Sequence, residues 1–421
     1  MNLRPQPVGR VLRMVVDAVN ECNLRCTYCH PGQVWKHQQL PITAIEGAMT
    51  AAEDAGVLEV VLTGGEITLH DDLQAVLEAT HRLQRCASTL ITNATKLTPD
   101  VVDWLTASNL TRICTSIDGA TNDVHGTARG KNLPKVLAGL RLLNETGKPL
   151  TVITVVHQQN WRQAIELSNL LADQNLAEQH HLCAPSFSGQ AREHYPQLAL
   201  REEDFHAIQH IVDTNHAQLQ RRGLYLTFNS HWPATGQRTL TVNPHRTITL
   251  QQLSEQVKDV LCNVRPNGEF RLQAATWGRE MVGNAIVGSV RAQPASQLLT
   301  AAESMLAVGI ARQLPRPVEA RHKFQLGIDA DQATTNALIG QPTTAQDSVA
   351  MIPIPSVDEH WLMGNPADLA ALRGRMDHEP DSHRIVRHPT GLILAFDRRR
   401  SLITLLREQE WQQMTTVGSN A

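Results

Sequence analysis

The chain has 421 residues, 38 basic and 41 acidic side chains, a formal net charge of −3 and a hydrophobic content of 42%. That length suits two or three domains, and the near-balanced charge leaves no footprint for nucleic acid. No apolar run approaches the roughly 18 residues of a membrane span, and Met1-Asn2-Leu3-Arg4-Pro5 has no apolar signal region, so a cytoplasmic location is expected.

From the N-terminus, apolar runs rich in Val, Ile and Leu alternate with segments of helical period. Strands are predicted over 12–18, 58–62, 89–92, 112–117, 150–156 and 180–183. Helices are predicted between them over 42–55, 73–83, 99–107, 135–146 and 161–174, with another over 202–221. Such alternation argues for a parallel sheet. Six units are too few for an eight-fold barrel.

The first strand runs into Cys22-Asn23-Leu24-Arg25-Cys26-Thr27-Tyr28-Cys29-His30. Three thiolates packed this closely can hold three irons of one cubane cluster and leave the fourth iron open. Zinc is the alternative, but a structural zinc wants four closed ligands, and His30, adjacent to Cys29, would strain that geometry. A disulfide framework does not suit seven cysteines in 421 residues without a secretory signal. The second strand ends in Thr63-Gly64-Gly65-Glu66. Two glycines allow close backbone approach to a ligand, and the Glu66 carboxylate could accept hydrogen bonds from an ammonium group.

On these two motifs the chain resembles the radical S-adenosylmethionine (radical SAM) superfamily. The resemblance implies a partial (β/α)6 TIM-like barrel with chemistry at the C-terminal ends of its strands, where Cys22, Glu66, Asn93 and Asp118 all fall. It implies a [4Fe-4S] cluster on Cys22, Cys26 and Cys29, with S-adenosylmethionine chelating the open iron. One electron, from a reductant such as flavodoxin or ferredoxin, would cleave that cofactor to a 5′-deoxyadenosyl radical that abstracts a substrate hydrogen.

By the same resemblance Tyr28 lies near the adenine, and Gly64, Gly65, Glu66 and Asn93 line the cofactor. Ser116, in Ser116-Ile117-Asp118-Gly119, approaches its ribose or carboxylate, and Asp118 faces the substrate as the catalytic candidate. Arg129, in His125-Gly126-Thr127-Ala128-Arg129-Gly130, pairs with the cofactor carboxylate, a task suited to its fixed fork of donors. His157 contacts adenine or substrate, and Asn160 begins the next helix as an N-cap. One departure stands out: Ile67-Thr68 follow Glu66, where the family commonly has Pro and Leu.

Past the barrel, Pro185 to Ala191, Cys262 to Leu272 and Gly283 to Gly288 resemble radical SAM proteins with a SPASM or Twitch segment, which carries auxiliary clusters. Here Leu272 stands where a second cysteine is expected, and no cysteine follows Cys262. A cluster-free, Twitch-like hairpin is therefore expected, with a turn at Pro266-Asn267-Gly268 and a closing helix over about 294–306. Cys262 is then a vestige or a thiol that donates hydrogen.

After Leu314-Pro315-Arg316-Pro317 the pattern changes, giving expected domains at 1–228, 229–314 and 315–421, the last a small α+β domain. In it we expect apolar segments at 349–354 and 361–363, a hairpin over 385–396 and a helix over 402–414. Arg398-Arg399-Arg400 reads as a solvated basic run. The domain suits a substrate- or leader-binding module, a lid or a dimerisation element.

The resemblance implies an enzyme that modifies a ribosomally made peptide. The alternatives are an enzyme acting on a small metabolite such as a sugar, nucleoside or amino-acid derivative, and a non-catalytic binding protein.

Overall fold

The computed structural model describes residues 6–7, 11–29, 37–185, 190–198, 200–229, 239–243, 246–249, 260–274, 285–311, 366–387, 393–406 and 408–416. After a short strand, Gln6–Pro7 (β1), come Arg13–Val19 (β2), Ile42–Ala55 (α1), Glu59–Gly64 (β3), Leu73–Glu78 (α2), Ala87–Ile91 (β4) and Pro99–Ala107 (α3). Then follow Arg112–Ser116 (β5), Asn122–Arg129 (α4), Leu133–Glu145 (α5), Leu150–Val155 (β6), Ala164–Asp173 (α6) and Gln179–Cys183 (β7). Ala191–Leu198 (α7), Glu202–Arg221 (α8) and Tyr225–Asn229 (β8) complete this half.

Strands β2 to β8 lie side by side in chain order and pair in parallel. Their apolar runs are covered on both faces, as parallel sheets require; Met14, Val16, Val60, Leu62, Ile113 and Val152 are fully buried. The sheet has two parallel strands beyond the six expected, β8 at one end and Val260–Val264 beside β2, and among the described residues it is not a closed barrel. Local signals set the helix ends. Thr98 accepts the Val101 N–H with Pro99 in the first turn of α3, and Gly56 ends α1 at φ 77°. Among the described residues no helix is long and apolar enough to cross a membrane.

The middle segment adds a two-stranded hairpin, Thr239–Asn243 (β9) with Arg246–Thr249 (β10), then extends the large sheet past β2 with Val260–Val264 (β11), Glu269–Ala274 (β12) and Ala285–Ser289 (β13). The expected turn holds: Gly268 takes φ 91°, and the Asn267 Oδ1 accepts the Glu269 N–H at 3.0 Å. Cys262 and Leu272 face each other across this hairpin. Both are fully buried, and burial pushes the Cys262 thiol well up, so Cys262 packs as a small hydrophobe. Arg265 pairs with the buried Asp17 of β2 at 2.9 Å and pins the hairpin to the barrel. The closing helix runs Ala295–Ala311 and packs on α1. Residues 186–189, 283 and 284, named above, lie outside the described residues.

The C-terminal part comprises a helix, Pro366–His378, then His383–Arg387 (β14), Ile393–Asp397 (β15), Leu402–Leu406 (β16) and a second helix, Glu408–Thr416. The expected hairpin is present as β14 and β15. The helix expected over 402–414 is not continuous, because Leu402–Leu406 pairs with β15 and only the polar stretch after it is helical. β1 pairs with β14, so the N-terminal strand belongs to this sheet. Segments 349–354 and 361–363 lie outside the described residues.

This unit sits against the N-terminal ends of the parallel strands. Arg384 donates to the carbonyls of Val57 and Gly56, Arg398 to that of Cys86, and Arg399 to Glu178 at 2.6 Å. The basic run read as a solvated loop is therefore part of the joint. At its centre Glu59, 1% exposed, pairs with Arg13 at 2.9 Å and Arg112 at 3.2 Å and accepts from Ser401 at 2.7 Å. Burial opposes ionisation of Glu59, yet the two guanidiniums and the hydroxyls of Thr89 and Ser401 hold its pKa below the usual value. Its stabilisation is thus present at neutral pH and lost on acidification through that lowered pKa. Glu59→Ala should cost about 3–5 kcal/mol by chemical denaturation, because it takes the shared carboxylate from two buried cations. Glu46→Ala, which breaks an exposed pair with Arg82, should cost under about 1 kcal/mol.

Candidate active site

The cysteine loop leaves the C-terminal end of β2 and is clamped to the end of β3 by two backbone bonds. Gly65 N–H donates to Val19 O and Glu66 N–H to Glu21 O, both at 2.7 Å. A Cβ on Gly64 would stand 2.3 Å from Val19 O, and one on Gly65 would stand 2.2 Å from Glu21 O. These glycines allow a close approach to the end of β2 and the start of the cysteine loop. Further along, Thr27 N–H donates to Ala128 O and Gln190 N–H to Cys29 O, each at 3.0 Å.

Cys22, Cys26 and Cys29 form no disulfide and are half-buried. Burial pushes the Cys22 and Cys26 thiols up, countered at Cys22 by the Leu24 N–H and at Cys26 by the Arg129 charge. Among the described residues no three His, Cys, Asp or Glu side chains converge as a single ion needs. A cubane spreads its ligands over separate irons, so the thiols need not meet at one point. The donor set fits such a cluster. Cys22 Sγ already receives the Leu24 N–H at 3.4 Å and the Asn93 Nδ2 at 3.9 Å, contacts that suit a thiolate. The remaining cysteines serve packing: Cys86, Cys114 and Cys262 are buried, and Cys183 ends β7.

Glu66 lies just beyond β3 and is buried. Its carboxylate, 2% exposed, is taken up by the protein. Oε1 accepts from Thr92 Oγ1 at 2.6 Å, Thr68 Oγ1 at 2.8 Å and Thr68 N at 3.1 Å; Oε2 accepts Asn93 N at 2.6 Å. The departure at Ile67-Thr68 explains part of this: Ile67 enters the core, and Thr68 supplies two of the donors. Glu66 thereby joins the ends of β3 and β4 and holds Asn93 toward Cys22. Asn23 and Thr95 complete the turn through Asn93, at 2.9 and 2.6 Å. Neither was singled out in the sequence, where only their polarity marks them. Ala94 sits there at φ 57°, a strained conformation for a residue with a Cβ.

Tyr28 is also committed inside the protein. Its hydroxyl bonds Asp118 Oδ2 and accepts from Arg129 Nη1, the latter at 2.7 Å. Asp118 is fully buried, with Oδ1 accepting the Val155 N–H at 3.0 Å and its own N–H donating to His125 Nδ1 at 3.2 Å. Burial pushes the Asp118 carboxyl up, against the opposing charge of Arg129 and the bonds from Tyr28 and Val155. Asp118 is an internal hub joining the cysteine loop, α4 and the end of β6. Arg129 is 8% exposed, and its Nε has no partner among the described residues.

Ser116 ends β5, half-buried. His157 is fully buried beyond β6, held neutral by burial with its pKa lowered to about 4. Its Nδ1 accepts the Gln159 N–H at 3.3 Å, so the proton sits on Nε2, which has no partner among the described residues. Asn160 does not cap the following helix. Its Oδ1 accepts the His157 N–H at 2.7 Å and its Nδ2 donates to the carbonyls of Asp118 and Val155, because the chain turns back here instead of entering the helix directly.

Residues 18–171 match the family model of the radical SAM superfamily. The chain is 31% identical over 173 residues to a GTP 3′,8-cyclase of Rhodococcus opacus, covering 38% of this chain and 48% of that one. It is 28% identical over 223 residues to a PqqA peptide cyclase of Ruegeria pomeroyi, covering 51% and 57%. Among solved structures, SuiB of Streptococcus suis bound to its precursor peptide SuiA superposes with a TM-score of 0.57 at 17% identity, over 85% of this chain and 77% of that one, a likeness of fold. The chain spans about half the length of these curated relatives. With the cysteine loop at the C-terminal ends of a parallel sheet, the match identifies residues 18–171 as a radical SAM domain.

Gly65→Ala should displace the cysteine loop, since its Cβ has only 2.2 Å to a backbone oxygen. Reconstituted variant should retain the far-UV circular dichroism of the wild type and bind markedly less iron; wild-type iron content would contradict this reading of the glycine pair.

Proposed function

We propose that this chain is a radical SAM enzyme that modifies a ribosomally made peptide. The observation that carries the radical assignment is the set of three half-buried cysteines on one clamped loop beyond β2. When bound, a [4Fe-4S] cluster with S-adenosylmethionine supplies one-electron cleavage of that cofactor and a 5′-deoxyadenosyl radical able to take a substrate hydrogen. The chain's own part is binding and exclusion. Cys22, Cys26 and Cys29 hold three irons, and Asn93 donates to the Cys22 sulfur. Gly64, Gly65 and Glu66 fix the loop that presents them. Arg129 offers its unpartnered Nε to a carboxylate, and His157 offers a neutral N–H. Ser116 lies at the strand ends on the same side, and Tyr28 and Asp118 brace the loop.

The substrate class rests on the PqqA peptide cyclase relative, whose match extends over 223 residues against 173 for the cyclase of GTP. That GTP 3′,8-cyclase, at 31% identity, supports the second reading, a small metabolite as substrate. The buried Cys262–Leu272 pair supports a single cluster per chain. A reducing compartment such as the cytoplasm and a small electron carrier such as flavodoxin or ferredoxin follow from the same chemistry.

Anaerobically reconstituted, reduced enzyme should form 5′-deoxyadenosine faster with the peptide fraction of a host extract than without it. Stimulation by the small-molecule fraction alone would transfer the assignment to the second reading. Cys26→Ala should abolish cleavage, because the cluster loses one of three ligands; full activity in that variant would sink the radical assignment. Iron analysis should give about four irons per chain, and a reproducible eight would overturn the single-cluster reading.

A further inference from the structure

A cavity of about 280 Å³ lies where the C-terminal unit meets the floor of the parallel sheet. Gln179 and Tyr225, the first residues of β7 and β8, stand side by side in register there. Glu178, Arg375, Arg399 and Arg400 complete its polar wall. We propose that this cavity binds a small molecule through an oxyanion, a carboxylate or a phosphate group. The inference goes beyond the proposed radical chemistry and does not depend on it, since the cavity is at the opposite end of the strands from the cysteines.

The donors are unequally used. Arg399 is committed to Glu178 at 2.6 Å. Arg400 is shared by Glu379 at 2.7 Å and Asp397 at 3.0 Å. Those two guanidiniums already answer three carboxylates, and Arg375 is left with no acceptor among the described residues. Gln179, 2% exposed, accepts from Thr151 at 3.2 Å through Oε1, but its Nε2 has no partner among the described residues. A buried amide N–H without an acceptor is costly to leave unmade. The Tyr225 hydroxyl likewise has no acceptor among the described residues. A guanidinium fork, an amide N–H and a phenol O–H facing one cavity offer three unanswered donors, which match an oxyanion. The volume suits a compact ligand, being at the low end of ligand pockets of roughly 300–1,000 Å³. Both faces of the joint contribute, so the ligand would tie the C-terminal unit to the barrel.

The test is calorimetric titration of the reconstituted full chain with succinate and, separately, with inorganic phosphate, each against chloride at matched ionic strength. Saturable binding of either is expected, and the tighter of the two identifies the source of the oxyanion. Arg375→Ala removes a cation that bonds no other group among the described residues, so its unfolding curve should match the wild type while affinity falls at least about tenfold. Gln179→Met should weaken binding in the same direction, and 5′-deoxyadenosine formation without ligand should be unchanged in Arg375→Ala. Absence of saturable binding by both anions, or wild-type affinity in Arg375→Ala, overturns the proposal.

Discussion

Two backbone hydrogen bonds, Gly65 N–H to Val19 O and Glu66 N–H to Glu21 O, determine where the cysteines stand. They continue the parallel pairing of β2 and β3 past the end of the sheet, and they form only because neither glycine carries a Cβ. A loop holding three half-buried thiols has little apolar surface of its own with which to fold. Its order is borrowed from the neighbouring strand ends: β3 through the glycines, β4 through Asn93, and α4 through Ala128 and Arg129.

The side chains most clearly flagged by their motifs are therefore spent largely on that loop. Glu66 receives four donors, and Asp118 receives Tyr28 and Val155. Such networks are costly to break once buried, which gives the site a fixed shape. Among the described residues, buried groups without a hydrogen-bond partner include Thr27 Oγ1 in the cysteine loop, Arg129 Nε and His157 Nε2.

Much of the fold was legible because strand and helix periods differ and because each βα unit buries both faces of its strand. The helices Ile42–Ala55, Pro99–Ala107 and Glu202–Arg221 follow directly from that alternation and from local signals such as Thr98-Pro99 and Gly56. β8 was not read because Tyr225-Leu226-Thr227 follows a long polar helix with little to mark it. The run from Leu402 was misread as helical because five residues of apolar sequence leave period undecided, and pairing with β15 settles it. At the site, residue types were legible and partners were not. Nothing in the sequence says that Thr68 would answer Glu66 or that Tyr28 would reach Asp118, contacts made between segments 2 and 90 residues apart. The arginines at 398–400 were misjudged for the same reason: their acceptors, Cys86 O, Glu178 and Glu379, are remote in sequence or on the far side of the joint.

The central claim is that three cysteines leave one iron of a cluster open to S-adenosylmethionine. Low-temperature electron paramagnetic resonance of the reconstituted, reduced chain, recorded with and without S-adenosylmethionine, tests it directly. The account predicts a [4Fe-4S] signal whose g-values shift when the cofactor is added. A cluster signal that S-adenosylmethionine leaves unchanged, or no cluster signal at all, would contradict it.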